Sequence, residues 1–292
     1  ATSRRAASEP RPVAVIGPGP TADSLPGPLG ALFPQPFEPA TSSFSERVLG
    51  TVPSARPAAP ATPLTPEVRA LLAEGTTVLA TVARDAVVIA GDRRATAGHA
   101  IARADLRKVF PADRHSAVAV SGAAGPAIEL ARIFATELEH HEKVEGRALT
   151  LDGKSSRLAS LVRAHLPLAL QGLVVVPLLA GVEPRTGRRA IYEFDPVGGR
   201  YVAAEHAAAG SGSPAARGVL KRRAAGDASE SDAVATLLLA LREAAEEDSA
   251  TGGPDVARGA PPIVAVVDAG GYRELPEDEV QERVAGLRGV RP

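Results

Sequence analysis

Cysteine is absent from all 292 residues, which excludes disulfides, thiolate nucleophiles and cysteine-ligated metals together. That absence suits a reducing cytosol. A surplus of one charge is lacking as well. With a net charge of −1, the chain has no basic field to hold nucleic acid or an anionic membrane non-specifically. No long hydrophobic run occurs either. The best apolar stretch, Leu173 to Val182, is broken by Pro177 and falls far short of the roughly 20 residues a membrane span requires. Arg4-Arg5 has the look of a twin-arginine export signal, but Ala6-Ala7-Ser8-Glu9-Pro10-Arg11-Pro12 stands where its apolar region belongs. A cytoplasmic protein with no nucleic-acid or membrane partner is expected.

Several catalytic motifs are missing too. There is no Gly-x-Ser-x-Gly elbow. Gly153-Lys154-Ser155 has the end of a phosphate loop, but Ala148 occupies the place of its first glycine. His141-Glu142 lacks the second His of a zinc-protease helix, and Glu139-His140-His141-Glu142 reads as a solvated helix end. The six histidines make no pattern with a serine or a metal. A Ser-His-Asp hydrolase is disfavoured, and no cofactor or metal is implied.

Proline is unevenly spread. Fourteen of the 26 lie in the first 75 residues, a leader rich in Pro, Ala and Ser that buries too little apolar surface to offset its ordering entropy. Phe33, Phe37 and Phe44 cluster there, either as a docking patch for a partner or as a collapsed tail. The foldable part is 76–292, enough for one sizeable core. Past Thr76 the pattern becomes β. Thr77–Ala83 and Ala86–Ala90 read as strands joined at Arg84-Asp85, continued by Val109–Phe110 and Ser116–Val120. Helical spacing begins at Pro126 with Ile128, Leu130, Ile133, Phe134 and Leu138, and a second helix is predicted over about 154–170. Strands return at Val174–Val182 and Ala190–Phe194, followed by helices over about 214–224 and 230–248 and a buried strand at Pro262–Asp268. That order is not a βαβ alternation. It predicts an α+β fold, with antiparallel sheets covered by helical layers. The helical apolar surface, including Leu237-Leu238-Leu239, exceeds what two sheets must cover and predicts subunit contacts.

The junction Gly75-Thr76 stands where the leader meets the first strand. Cleavage there would leave Thr76 with a hydroxyl nucleophile and a free α-amine as its base. Gly91-Asp92-Arg93-Arg94-Ala95-Thr96 ends the second strand, so Asp92 can return close to the start of the hairpin. Lysine is scarce, four against 29 Arg, so a lysine at 108 points to a need for a compact, pKa-tunable ammonium.

Six segments together resemble the proteasome β subunits. They are Gly75-Thr76-Thr77, Gly91 to Thr96, Lys108-Val109-Phe110, Ser121-Gly122-Ala123-Ala124-Gly125, Gly210-Ser211-Gly212, and Asp248 through Gly252-Gly253. The leader and the Arg/Ala-rich composition are most similar to the actinobacterial 20S type. The resemblance implies a four-layer αββα sandwich of the N-terminal-nucleophile hydrolase type, with residues 1–75 a propeptide removed on maturation. It implies a threonine endopeptidase in which Thr76 attacks, Lys108 and Asp92 tune the amine, the Gly122 N–H stabilises the oxyanion, and Ser211 and Asp248 support the amine. Thr251 stands where many relatives have Ser. Ala95, Thr96, Leu106, Val120 and Ala124 match the primary substrate pocket, whose apolar walls suit apolar side chains. The implied partners are α subunits, further copies of the chain in heptameric rings stacked α7β7β7α7, a ring-shaped ATPase unfoldase and unfolded protein substrates. Alternatives are an HslV-type protease subunit, a non-catalytic ring subunit and a small-molecule amidase of the same fold. The 217 residues after Gly75 are long for the first. The joint presence of Thr76, Asp92, Lys108, Ser211 and Asp248 opposes the second, and Lys108 with no N-terminal Cys or Ser opposes the third.

Overall fold

The structure is a computed structural model and describes residues 75–98, 100–254, 260–287 and 289–290. The leader with its Phe33–Phe44 patch lies outside the described residues. Two five-stranded antiparallel sheets form the centre. The first has the order β10-β1-β2-β11-β12, built from β1 (Thr77–Val82), β2 (Val87–Gly91), β10 (His206–Gly210), β11 (Ile263–Asp268) and β12 (Gly271–Glu274). The second has the order β5-β6-β7-β8-β9, built from β5 (Val109–Asp113), β6 (Ser116–Gly122), β7 (Val175–Val182), β8 (Arg189–Phe194) and β9 (Arg200–Ala203). A separate hairpin pairs β3 (Ala95–Ala97) with β4 (Ala100–Arg103).

Alternation of side chains sends each strand into two cores at once. Leu79, Val88 and Ala90 face outward beneath α4 (Ser213–Arg223) and α5 (Glu230–Glu247). Val78, Ala80, Val87 and Ile89 face inward against Ala117, Ala119, Leu178 and Ile191 of the second sheet. On that sheet's far side Val118, Val120, Leu179 and Tyr192 meet Leu130, Phe134 and Leu138 of α1 (Ala124–Glu145) and Leu158 and Val162 of α2 (Leu151–Ala164). The layers are therefore α, β, β, α. Because β1 and β2 are covered on both faces, every residue in them is buried, Thr77 and Thr81 included.

Three expectations need correction. The helix predicted over 154–170 divides into α2 and the short α3 (Leu166–Ala169); Pro167 has no N–H to continue the ladder. The helix read from Pro126 starts two residues earlier, at Ala124. Leu237, Leu238 and Leu239 offer no surface for a neighbour. All three are buried within this chain, because α5 packs on β1 and β2 with one face and on α4 with another. Ile133 of α1 does remain exposed. Elements outside the sequence reading are β3, β4, β9, β10, β12 and a terminal helix α6 (Glu277–Gly286).

Candidate active site

The pairing of β1 with β2 sets Val78 opposite Gly91, so the chain leaving β2 returns alongside the start of β1. Asp92 then binds Thr77 twice. Its N–H donates to the Thr77 carbonyl at 3.1 Å, and its Oδ1 accepts the Thr77 N–H at 2.8 Å. The second carboxylate oxygen accepts N–H bonds from Arg94 at 2.9 Å and Gly252 at 2.8 Å. Asp92 is wholly buried and holds the Lys108 ammonium at 2.7 Å. Lys108 also donates to the Arg94 carbonyl and, at 3.2 Å, to the Gly75 carbonyl. Burial pushes the Lys108 ammonium below the ordinary lysine value, and the Asp92 charge opposes that push.

Gly75 and Thr76 are joined in this chain, and the Thr76 hydroxyl donates to the Gly75 carbonyl oxygen. The Gly75 backbone has φ 88°, a left-handed conformation that side chains disfavour. A Cβ there would lie 2.8 Å from both Ala250 Cβ and Thr96 Oγ1. Only glycine fits before this threonine.

Ser211 and Asp248 arrive from the other side. The Ser211 N–H donates to the Thr76 carbonyl at 3.0 Å, and its hydroxyl donates to Asp248 Oδ2 at 2.6 Å. The Thr251 hydroxyl donates to the same oxygen at 2.6 Å, and the Ala250 N–H reaches Oδ1 at 3.1 Å. Burial acts to raise the Asp248 carboxyl, but these bonds, led by Ser211 and Thr251, outweigh it and hold it below its usual value. Gly122, at the end of β6, has φ 104°, and a Cβ there would sit 2.0 Å from the Val174 carbonyl oxygen. That position has a steric need for glycine whatever its chemistry.

Among the pocket candidates, Ala95 is fully buried. Thr96 and Leu106 are half-buried beside the Lys108 segment, where the Leu106 N–H bonds to the Arg93 carbonyl. Ala124 opens α1. Val120 packs with Ala127 and Leu130 in the outer core, so its side chain forms part of that core. Two residues escaped the sequence reading. Thr77 binds the site through N–H, carbonyl and hydroxyl. The Arg94 guanidinium donates to the Ser249 and Thr251 carbonyls at 3.0 and 3.1 Å, stapling the Asp92 turn to the Asp248 loop. The doublets Thr76-Thr77 and Arg93-Arg94 were the available signals. Among the described residues no group of three or more His, Asp or Glu side chains could hold a metal ion, and no helix is long and apolar enough to cross a membrane.

Two antiparallel sheets between helical layers, with a threonine, a lysine and two carboxylates converging at the start of the first strand, define the N-terminal-nucleophile hydrolase architecture. The chain belongs to the proteasome subunit family. The family model described as "Proteasome subunit" matches residues 72–257. A "Proteasome subunit beta" of Acidothermus cellulolyticus is 48% identical over 280 residues, covering 91% of this chain and 94% of the relative. Proteins of the same name from Acidimicrobium ferrooxidans and Frankia casuarinae are 51% identical over 208 residues and 45% identical over 263. These cover 71% and 89% of this chain and 76% and 95% of the relatives. The first alignment is longer than the 217 residues that follow Gly75, so it extends into the leader.

Proposed function

We propose that this chain is the catalytic β subunit of a 20S-type proteasome core, a threonine peptidase that degrades unfolded proteins and makes its own nucleophile at Gly75-Thr76. The observation that carries this is the buried Lys108–Asp92 pair, whose ammonium reaches the Gly75 carbonyl beside the Thr76 hydroxyl. In maturation the Thr76 oxygen attacks the Gly75 carbonyl carbon, and a water takes the hydroxyl proton. The Gly75–Thr76 C–N bond breaks, the nitrogen gains a proton, and an ester to Thr76 Oγ remains. Water hydrolyses the ester, releasing the leader with a Gly75 carboxylate. The freed α-amine is a base at the nucleophile itself.

In peptide hydrolysis the Thr76 oxygen attacks the scissile carbonyl while the α-amine accepts its proton, directly or through a water, and passes it to the leaving amine as the C–N bond breaks. Water then hydrolyses the ester left on Thr76 and frees the hydroxyl. The Lys108 charge disfavours protonation of that amine and keeps more of it as free base. Asp92 holds Lys108 charged and in place. The Gly122 N–H stabilises the oxyanion, a contribution of about 3–4 kcal/mol for such a donor. Asp248 and Ser211 orient the amine and its water. Small and apolar positions near the site (Ala95, Thr96, Leu106, Ala124) favour apolar residues before the cut. The working particle is two stacked heptameric β rings between rings of α subunits, fed by an ATPase unfoldase in the cytoplasm.

Intact mass after co-expression with α subunits tests this reading. The wild-type chain should begin at Thr76, and Thr76→Ala should keep its leader. A mature chain starting at any other residue would overturn the assignment of Thr76.

A further inference from the structure

The residue after the proposed nucleophile makes more contacts with the site than its neighbour does. Thr77 is fully buried and is bonded through every polar atom it has. Its hydroxyl oxygen lies 2.7 Å from Thr251 Oγ1 and accepts the Gly212 N–H at 3.0 Å. The direction of the first bond follows from counting protons. A threonine hydroxyl has one hydrogen to give, and Thr251, also fully buried, gives its own to Asp248 Oδ2 at 2.6 Å. Thr77 must therefore donate to Thr251. A Cβ on Gly212 would stand 2.5 Å from one hydroxyl oxygen and 2.6 Å from the other, so the chain backs onto bare backbone with no room for adjustment.

We propose that Thr77 is a positioning residue, whose hydroxyl heads a directed chain from Thr77 through Thr251 to Asp248 that seats Asp248 and Ser211 against Thr76. This rests on the reading of Asp248 and Ser211 as supports of the catalytic amine. The arrangement makes physical sense because the same residue also holds Asp92 through its N–H and carbonyl. Thr77 thus fixes the separation between the carboxylate that governs Lys108 and the carboxylate that governs Ser211. Its hydroxyl is cooperative with the next, since each donor polarises the O–H that follows it along the chain. Asp248 Oδ2 receives two hydroxyls, and only the Thr251 one is itself held from behind by another hydroxyl donor.

The test uses the full chain matured with α subunits, with the processed fraction measured by intact mass and kinetics reported per processed site. Thr77→Val keeps the shape of the side chain and removes its hydroxyl. We expect kcat to fall about tenfold, the upper end for losing one neutral hydrogen bond, with KM changed by less than about twofold. Thr77→Ser should recover kcat to within about twofold. In an Asp248→Ala background, Thr77→Val should cost less than about threefold, because the end of the chain is already gone. Full kcat in Thr77→Val, or the same loss in both backgrounds, overturns the proposal. A crippled Asp248→Ala with an additive Thr77→Val overturns Thr77 alone, whereas wild-type kcat in Asp248→Ala overturns the role of Asp248 and the chain with it. Should Thr77→Val fail to assemble, Thr251→Val cuts the same chain one link further on and is judged by the same numbers, with Thr251→Ser as its rescue.

Discussion

Two of the four lysines are buried against an aspartate, and they stand in different surroundings. Lys108 holds Asp92 at 2.7 Å beside Thr76. Lys154, near the start of α2, holds Asp113 at 2.6 Å at the end of β5. Both lysines are almost wholly hidden. What differs is the company each keeps. Asp113 takes the His115 N–H and the Ser116 hydroxyl on its other oxygen, so the Lys154 pair closes a turn and ties a helix to a sheet. Asp92 instead takes N–H groups from three segments, and Lys108 reaches on to the Gly75 carbonyl. A buried ion pair is weak evidence of function by itself. The reachable carbonyl and hydroxyl beside Lys108 are what separate the two.

The largest effect should come from truncating each lysine. Lys108→Ala and Lys154→Ala each strand a buried carboxylate and should each lose about 3–5 kcal/mol of stability in thermal or denaturant unfolding. Only Lys108→Ala should also lose turnover per folded, processed site, by up to about a thousandfold, the scale of removing a preorganised electrostatic group from a reacting centre. Lys154→Ala should keep kcat within about twofold of wild type. Lys108→Arg should remain nearly inactive, since a planar guanidinium does not replace a compact ammonium. Turnover of Lys108→Arg within about threefold of wild type would erase the distinction drawn between the pairs.

A second effect sharpens the comparison through pH. Burial depresses Lys108, and Asp92 is the largest influence holding it up. Activity that needs the ammonium should therefore fall on the alkaline side below the ordinary lysine value of 10.5. Asp92→Asn removes the supporting charge, so the alkaline limb of the kcat profile should move to lower pH, with kcat at neutral pH down about tenfold or more. The stability sign runs opposite to the usual lysine case. As pH rises from the folded value towards 10.5, the unfolded chain holds the Lys108 proton longer, so this residue's contribution turns in favour of the folded state. An alkaline limb that stays in place in Asp92→Asn would break the link between this pair and turnover.

Arg94 gives a smaller effect. Its two bonds to the Ser249 and Thr251 carbonyls hold the Asp248 loop against the Asp92 turn, and each such bond is worth about 0.5–1.5 kcal/mol. Arg94→Gln should lower kcat about three- to tenfold with the fold intact by circular dichroism. An unchanged kcat would show that the two loops hold each other without the staple.

Thr76, Asp92 and Ser211 were legible in the sequence because each adjoins a glycine at a strand end, and Asp248 because its loop runs on to Gly252-Gly253; Lys108 has no glycine near it and stood out by residue type alone. The scarcity of lysine pointed to Lys108, yet it applied equally to Lys154, whose burial was not foreseen. Residue counts carry no information about which carbonyl an ammonium will meet. The long buried strands and helices were legible from their periodicity. β10, with Ala207-Ala208-Ala209, was not, since alanine has little strand preference and its pairing with β1 supplies the order. α6 was missed because its surface is polar and Val280 is its one buried residue. Pro276 before Glu277-Asp278-Glu279 was the start signal that could have found it. Thr77 and Arg94 are bonded to segments about 150 residues away or more, which spacing along the chain does not encode.

The smallest expected effect concerns Asp248, which is half-buried beside Ser211. Its burial works against the charged form, but the hydroxyls of Ser211 and Thr251, the Ala250 N–H and the Lys108 charge together place its carboxyl below the reference value of 3.8. A carboxyl depressed by folding adds stability that is complete above its unfolded value and disappears as pH falls through its folded value. The unassembled wild-type chain should therefore be more stable than Asp248→Asn by a constant margin above about pH 5, and that margin should shrink once pH drops below 3.8. Partial exposure screens the effect, so the difference should be a modest shift in the thermal midpoint. Because the margin depends on two hydroxyl donors, Ser211→Ala and Thr251→Val should each narrow it while leaving its acid onset in the same pH region. A margin that stays constant down to pH 3 would mean that the Asp248 carboxyl is not held charged by these neighbours, and that the Ser211 side of the site is shaped by packing alone.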